Sequence, residues 1–228
     1  MGIAVYKKPA AQNMRHGQTH CGRALESMKS WPETCSTSSA PARRLTVWRK
    51  SLLFNSHGYT VFDDADGRIV FRVDNYAHDW RRHTLLMDSH GNVLLTIRRC
   101  RSNILNLRES WEVYEGDEDT QTMSKDERLR PLFKATKHLG SSSCTISMFA
   151  DHGSVKSLGG YRMSWSREKE WAKIYQADPN TLVAEVSRKY GSSKNLLDKD
   201  VLALTVHPGM DQALTMAMIM ITNLMSGW

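Results

Sequence analysis

The sequence lacks the features that most directly define a protein class. It has only four cysteines in 228 residues, and Cys21, Cys35, Cys100 and Cys144 form no C-x-x-C pair. This excludes a disulfide-rich scaffold and zinc-ligand spacing, so the four thiols are predicted to be reduced. No apolar segment follows Met1, which predicts the absence of a secretory signal. No apolar run reaches the ~18 residues that a membrane-spanning helix needs.

Catalytic motifs are also missing. The sequence contains no G-x-S-x-G, no P-loop and no G-x-G-x-x-G. Residues 64–67, Asp-Ala-Asp-Gly, resemble the start of a calcium loop but lack the later glutamate, so a hairpin turn is the better interpretation. We therefore expect no metal, no cofactor and no enzymatic activity. An enzyme or lipid-handling protein whose site is assembled only in three dimensions is the alternative.

What the sequence does contain is an uneven positive charge. The formal net charge is +7, and residues 1–44 carry +5 of it. This segment is rich in Ala, Pro, Ser and Thr and has no sustained hydrophobic period, which predicts a disordered basic tail over 1–44 and a folded domain over 45–228. A plastid or mitochondrial transit peptide is the alternative for the tail. Because the charge lies mainly in the tail, it is weak evidence for nucleic-acid binding.

From residue 45 onward, apolar and polar residues alternate as they do in half-buried strands. Turn residues separate the apolar segments in pairs, as in the hairpin of 59–63 and 68–74, whose turn ends at Gly67. Short strands without helices between them indicate an antiparallel barrel or sandwich, and nearly a dozen strands favour a closed barrel because closure removes exposed edges. The predicted strands are 59–63, 68–74, 84–87, 93–97, 111–114, 132–136, 145–150, 161–166, 171–176, 182–187 and 201–206. The acidic stretch 115–130 is predicted to be a mobile loop.

One C-terminal segment departs from this pattern. Residues 210–225 are rich in Ala, Leu and Met, which are strong helix formers, and from Ala213 to Ile221 only Thr215 is polar. A helix that is apolar on all sides is buried on all sides or lies in lipid, and this one is too short to cross a bilayer. We predict that the β-sheet closes around it. A membrane hairpin or tail anchor is the competing interpretation.

Several segments of the predicted domain match a known family, namely LTVWRKSLLFN (45–55), GYTVFD (58–63), VFRVDNY (70–76), LMD (86–88), LLTIRR (94–99) and HPGMD (207–211). On these residues the sequence resembles the plant LURP-one-related (LOR) family, whose fold is similar to the tubby C-terminal domain and to phospholipid scramblases. The resemblance covers about 45–225 and implies twelve strands around a central helix. It also implies phosphoinositide binding, as in tubby-like domains, and a role in plant defence.

The densest basic cluster in the predicted domain is Arg98, Arg99 and Arg101, with Arg81 and Arg82 near it in sequence. Guanidinium groups match phosphate geometry, so these five arginines are the candidates for anion or lipid-headgroup binding. The alternative is a solvated strand end kept soluble by its charge. Arg188, Lys189, Lys134 and Lys137 are weaker candidates. The tryptophans at 48, 111, 165 and 171 are predicted to pack in the core.

These observations lead to three hypotheses. The first is a non-enzymatic, monomeric tubby-like module that binds anionic phospholipid headgroups or a protein partner at a membrane surface. The second is the enzyme or lipid-handling protein named above, and the third is a DNA-associated transcription regulator, although nucleic acid is not the expected partner. The expected location is the cytoplasm, at the periphery of the plasma membrane or in the nucleus, with plastid targeting by the tail as the alternative.

Overall fold

The computed structural model describes residues 41–50, 58–74, 83–100, 109–117, 130–149, 160–178, 180–191 and 200–226. The described residues form twelve strands and one helix. The strands are β1 (Arg43–Trp48), β2 (Gly58–Asp63), β3 (Ile69–Asp74), β4 (His83–Asp88), β5 (Val93–Arg99), β6 (Ser110–Glu115), β7 (Phe133–Lys137), β8 (Ser143–Met148), β9 (Gly160–Ser166), β10 (Trp171–Gln176), β11 (Leu182–Arg188) and β12 (Val201–Val206). The helix is α1 (Gln212–Ser226).

The twelve strands form a closed antiparallel barrel in which each strand pairs with its neighbours in sequence. Closure comes from the pairing of β1 with β12, in which Leu45 lies opposite Leu204. Closure leaves no exposed strand edge in the barrel, which is the physical reason for expecting it from a chain of many short strands. The predicted fold class, mainly β with a closed barrel around a C-terminal helix, is confirmed.

Residues that tolerate unusual backbone angles form the hairpin turns, as the sequence indicated. Gly67, in the turn between β2 and β3, has a φ of 70°, and Asn180, between β10 and β11, has a φ of 65°. Both residue types tolerate this left-handed region better than branched side chains do. In the β2–β3 turn, the Asp63 carboxylate also accepts a hydrogen bond from the Ala65 backbone N–H at 2.9 Å. These local features close the two turns and let the chain reverse direction.

The helix α1 fills the barrel. Nine consecutive residues, 214–222, are buried, which covers every direction around a helix of 3.6 residues per turn. The inner faces of the strands supply the surrounding apolar side chains, among them Leu45, Val113, Phe133 and Ile174, all with no exposed surface. The buried central helix predicted from the sequence is confirmed, and the competing membrane hairpin is not needed to bury it.

The helix begins at one end of the barrel and finishes at the other. Asp211 caps its first turn, accepting a hydrogen bond from the Leu214 N–H at 2.8 Å, close to where β12 ends. At the far end, Lys137 Nζ, on the last residue of β7, donates to the carbonyl of Met225 at 2.9 Å. We call the first the entry end and the second the exit end. The strand ends at Trp48, Arg99 and Lys137 belong to the exit end.

The boundary between tail and domain stays a prediction. β1 begins at Arg43, so it includes the last two residues of the predicted tail, and residues 1–40 lie outside the described part of the chain. The acidic stretch is described only at its margins, 115–117 and 130. No helix among the described residues has both the length and the apolar character that crossing a bilayer requires.

Candidate functional site

Two of the five candidate arginines lie together at the exit end. Arg98 and Arg99 are the last two residues of β5, and both are exposed. Arg81, Arg82 and Arg101 lie outside the described residues. By chain connectivity the first two belong to the connection from β3 to β4 and the third to that from β5 to β6. Only Arg98 and Arg99 can therefore be placed, at the exit end, and the rest of the sequence cluster stays a prediction.

Arg99 is held in place by two contacts. Its Nη2 lies 2.6 Å from Oε1 of Glu109, and its guanidinium carbon lies 5.6 Å from the centroid of the Trp111 ring. A cation above an aromatic face is attracted by the ring quadrupole. Glu109 also faces Lys137, whose Nζ is 3.5 Å from its other carboxylate oxygen. One carboxylate therefore lies between two cations, and the group keeps a net positive charge.

Arg98 belongs to a row of charged side chains on the outer wall. It lies opposite Glu112 on β6, which in turn lies opposite Lys134 on β7. Glu112 accepts hydrogen bonds from Lys134 Nζ at 2.9 Å and from the Tyr114 hydroxyl at 2.8 Å. Partial burial acts to raise the pKa of Glu112, but these hydrogen bonds outweigh it and lower that pKa. The carboxylate is thus ionised and already occupied by Lys134 and Tyr114.

A second basic cluster at the exit end was not singled out from the sequence as a unit. Glu170, in the turn between β9 and β10, accepts from Arg49 at 3.1 Å and from Nε of Arg188. Burial acts to raise the pKa of Glu170, but the bonds to Arg188 and Arg49 lower it. Arg188 was a weaker candidate, whereas Arg49 and Glu170 come from distant segments and carry no local signal. This cluster repeats the pattern of one carboxylate between two cations.

Lys189, another weaker candidate, is engaged on the outer wall. Its Nζ lies 2.8 Å from Oδ1 of Asp64 and also contacts the Thr46 hydroxyl. Burial raises the pKa of Asp64, but the bonds from Lys189 and Thr46 more than offset this and lower it. The contact links the end of β11 to β1 and to the turn after β2. Lys189 therefore has a stabilising role within the barrel wall.

Charge is distributed unequally between the two ends. The comparison takes the described side chains in the connections and in the two strand positions nearest each end, without Asp74, whose side chain is not described. The exit end has nine Lys or Arg and four Asp or Glu, whereas the entry end has five and eight. The exit-end cations are Arg49, Lys50, Arg98, Arg99, Lys137, Arg167, Lys169, Arg188 and Lys189, and its anions are Glu109, Glu168, Glu170 and Asp200. Lys189 is assigned by its backbone position, since its ammonium group pairs with Asp64 of the entry end, and the difference in charge remains without that pair. The barrel is therefore basic at the exit end and acidic at the entry end.

The described metal-ligating residues, cysteines and tryptophans do not form a reactive site. No three His, Cys, Asp or Glu side chains among the described residues are grouped so that they could hold a metal ion. Cys144 is buried, which raises its thiol pKa to about 12, and partial burial likewise raises the pKa of Cys100. Both thiols are therefore protonated near neutral pH and are poor nucleophiles. Of the predicted core tryptophans, Trp111 and Trp165 are buried, while Trp48 and Trp171 are half-buried.

The fold defines a class of protein: a closed twelve-stranded antiparallel barrel filled by its own C-terminal apolar helix. The family model described as LURP-one-related matches residues 43–223, which is most of the chain. The chain belongs to the LURP-one-related family, as the sequence motifs predicted.

Relatives from Arabidopsis thaliana agree with this assignment. The chain is 34% identical to "Protein LURP-one-related 5" over 191 residues, covering 81% of this chain and 84% of that protein. It is 36% identical to "Protein LURP-one-related 8" over 200 residues, covering 86% and 94%. An X-ray structure of another A. thaliana protein superposes with a TM-score of 0.51 at 20% identity, covering 80% of this chain and 90% of that one. That likeness supports the fold.

Proposed function

We propose that this protein is a non-enzymatic module that docks on membrane surfaces by binding anionic phospholipid headgroups, including phosphoinositides, at the exit end of its barrel. The observation that carries the proposal is the separation of charge between the two ends. A basic face opposite an acidic one orients the molecule in the field of an anionic surface before contact is made. The resemblance to tubby-like domains supports the same proposal and extends it to plant defence signalling at the plasma membrane.

The arrangement of the basic residues suits phosphate groups. Glu109 and Glu170 are each shared by two cations, so each group holds its cations in a defined position while retaining one excess positive charge. Arginine forks bind phosphate oxygens in a bidentate manner, and a positioned fork loses less freedom on binding than a mobile one. Arg98, the preceding residue of β5, adds an exposed guanidinium on the opposite face of the strand, towards the outer wall.

The packing of the barrel supports a surface role. Residues of α1 occupy the centre of the described barrel, and Met216, Met218 and Met220 have at most 1% of their surface exposed. A ligand therefore meets this domain on the outer wall or at its ends. Neither the motifs nor the described side chains assemble a nucleophile, base and anion hole, so we propose binding without catalysis.

Vesicle co-sedimentation tests the proposal directly. The intact protein is titrated with vesicles of phosphatidylcholine alone, with phosphatidylserine added, and with phosphatidylinositol 4,5-bisphosphate added. We expect binding only to the anionic vesicles and weakening with salt, because exposed charges are screened. Each basic residue near an anionic membrane contributes about 1 kcal/mol, so Arg98→Ala with Arg99→Ala should weaken binding roughly thirtyfold.

The matched control is Arg68→Ala. Arg68 lies at the entry end in the β2–β3 turn, where its side chain is 84% exposed and pairs with Asp66. Its removal changes net charge but should leave vesicle binding within about twofold. Equal losses for Arg68→Ala and for either exit-end change would contradict the proposal. Binding to duplex DNA with a steep salt dependence, without vesicle binding, would favour the transcription-regulator hypothesis instead.

A further inference from the structure

The exit end carries exposed apolar side chains as well as charge. Three large hydrophobic residues of the described chain are exposed: Leu139 at 65%, Tyr190 at 61% and Phe149 at 42%. Leu139 lies in the turn between β7 and β8, and Tyr190 follows β11, so both belong to the exit end. Phe149 follows β8 at the entry end. Single exposed apolar residues are common, so their meaning depends on what surrounds them.

Leu139 projects from a tight, otherwise polar turn. His138 and Ser141–Ser143 flank it, and Gly140 adopts a φ of 68° that lets the chain reverse there. Hydrogen bonds from the Ser141 N–H to the His138 carbonyl and from the His138 N–H to the Ser143 carbonyl close the turn. The turn therefore presents one exposed isobutyl group on a hydrogen-bonded backbone.

Tryptophans also concentrate at this end. All four tryptophans among the described residues lie in the two strand positions nearest the exit end; Trp48 and Trp171 are half-buried there, whereas Trp111 and Trp165 are buried. Lys50 Nζ lies 5.6 Å from the Trp48 ring, which places a cation and a half-buried indole side by side. Tryptophan and tyrosine, together with basic residues, are enriched where proteins meet the headgroup layer, because one part of the side chain is apolar and another is polar.

We infer that the exit end does not merely rest on the headgroups but inserts into the lipid interface, with Leu139 and Tyr190 as two apolar anchors. This inference rests on the proposed function and specifies how the same end engages its partner, an anionic lipid bilayer. Strands β9 and β10 lie between the two anchors around the rim. Two separated anchors fix the tilt of the barrel axis on the membrane, which charge alone does not do.

A bilayer explains the combination of exposed apolar residues and basic residues at the exit end better than a protein partner does. A protein interface buries its apolar anchors in a contiguous patch, whereas Leu139 and Tyr190 are separated along the rim by basic residues and the half-buried indole of Trp171. A headgroup layer accepts scattered apolar tips, since each enters the acyl boundary independently while Lys and Arg remain at the phosphates.

The experiment measures depth as well as binding. An environment-sensitive fluorescent amino acid is encoded at position 139 of the full-length protein, and in a control protein at position 149. Each is mixed with phosphatidylcholine–phosphatidylserine vesicles containing acyl-chain-brominated lipid. We expect a blue shift and quenching at 139 and neither at 149. In parallel, Leu139→Ser and Tyr190→Ser should each weaken vesicle binding about tenfold, while Phe149→Ser should leave it unchanged.

The outcomes separate this inference from the proposed function. If the protein sediments with anionic vesicles and needs Arg98 and Arg99, but the probe at 139 is neither shifted nor quenched, the headgroup proposal stands and insertion is wrong. If the protein does not bind anionic vesicles at all, both are wrong. Equal quenching at 139 and 149 would also overturn the inference, because it would mean that no particular end is inserted. Circular-dichroism melts confirm that each serine variant is folded.

Discussion

Replacing Met218 with aspartate tests the central feature of the fold. Met218 lies in the middle of α1 and has no exposed surface. Because residues 214–222 are all buried, a carboxylate at this position has no direction in which to reach water. The described strands surround this part of the helix with apolar side chains. We therefore expect Met218→Asp to abolish the folded state near neutral pH.

The magnitude follows from two costs. Losing a buried methionine side chain removes about 2–5 kcal/mol of packing and transfer free energy. Placing a polar group without a partner in an apolar interior costs a further ~2–7 kcal/mol even when it is uncharged. Together these costs are comparable with the whole free energy of unfolding of a typical domain, about 5–15 kcal/mol. Little or no net stability remains.

The assay is urea and thermal unfolding followed by far-ultraviolet circular dichroism. Burial would raise the pKa of the introduced carboxyl in the folded state, so the destabilisation is smallest below its unfolded-state pKa and grows as pH rises. Met218→Leu, which conserves volume, should cost less than about 1.5 kcal/mol. Gln212→Asp places the same charge at the first, half-buried residue of α1 and should be tolerated. A cooperative, unshifted melt for Met218→Asp would refute the buried-helix reasoning.

Four further changes test other parts of the argument. Asp211→Ala removes the cap of α1 and should lower the free energy of unfolding by about 1 kcal/mol in urea titrations. Glu170→Gln should destabilise by roughly 1 kcal/mol at neutral pH. Because the folded-state pKa of Glu170 is lowered, that difference should vanish as pH falls through the glutamate range; a difference that persisted at low pH would point to packing instead. Gly160→Ala brings a methyl carbon 2.8 Å from the Ile146 carbonyl oxygen and should lower the melting temperature by several degrees, whereas an unchanged melt would mean that the strands separate freely there. Deleting residues 1–40 should leave the melt unchanged if the predicted tail is independent of the barrel, and a large drop would show that it is structural.

The alternation of apolar and polar residues along the sequence predicted most of the strands. The predicted strands 171–176 and 201–206 coincide with β10 and β12, and the other predicted strands differ from the observed bounds by two residues or fewer. This alternation predicted the strands because one face of each strand is buried against α1. The closing pair, β1 with β12, could not be derived in this way, because Leu45 and Leu204 lie far apart in the chain. Closure itself was predicted from the number of strands and from the need to remove exposed edges, but the register of the closing pair was not.

The register irregularities show a second limit. The pairing of β2 with β3 shifts between Val61 and Phe62, and that of β4 with β5 shifts between Leu86 and Met87. Such bulges increase local twist and help a sheet to curve into a barrel. Their positions depend on how neighbouring strands tilt around the core, so a period of two in the sequence does not locate them.

The sequence could predict residues of the candidate site only where they are adjacent in the chain. Arg98 and Arg99 attracted attention because they are adjacent, whereas Arg49, Glu170 and Arg188 come from three separate segments and resemble ordinary surface charges. The sequence count also assigned most of the excess charge to the tail and left the body nearly neutral. A nearly neutral body can still have one basic and one acidic end, and that division emerges only when the strand order is known.

The basic end has a structural explanation that must be weighed against lipid binding. The C-terminus of α1 emerges there with the partial negative charge of its last carbonyls, and cations near it are stabilising. Lys137, which donates to the Met225 carbonyl, has that role. Arg98, Arg167 and Lys169, however, are exposed on the rim, and the helix dipole falls off within about one turn. The helix accounts for one cation close to its end, and we propose that the exposed remainder serves to bind an anionic membrane.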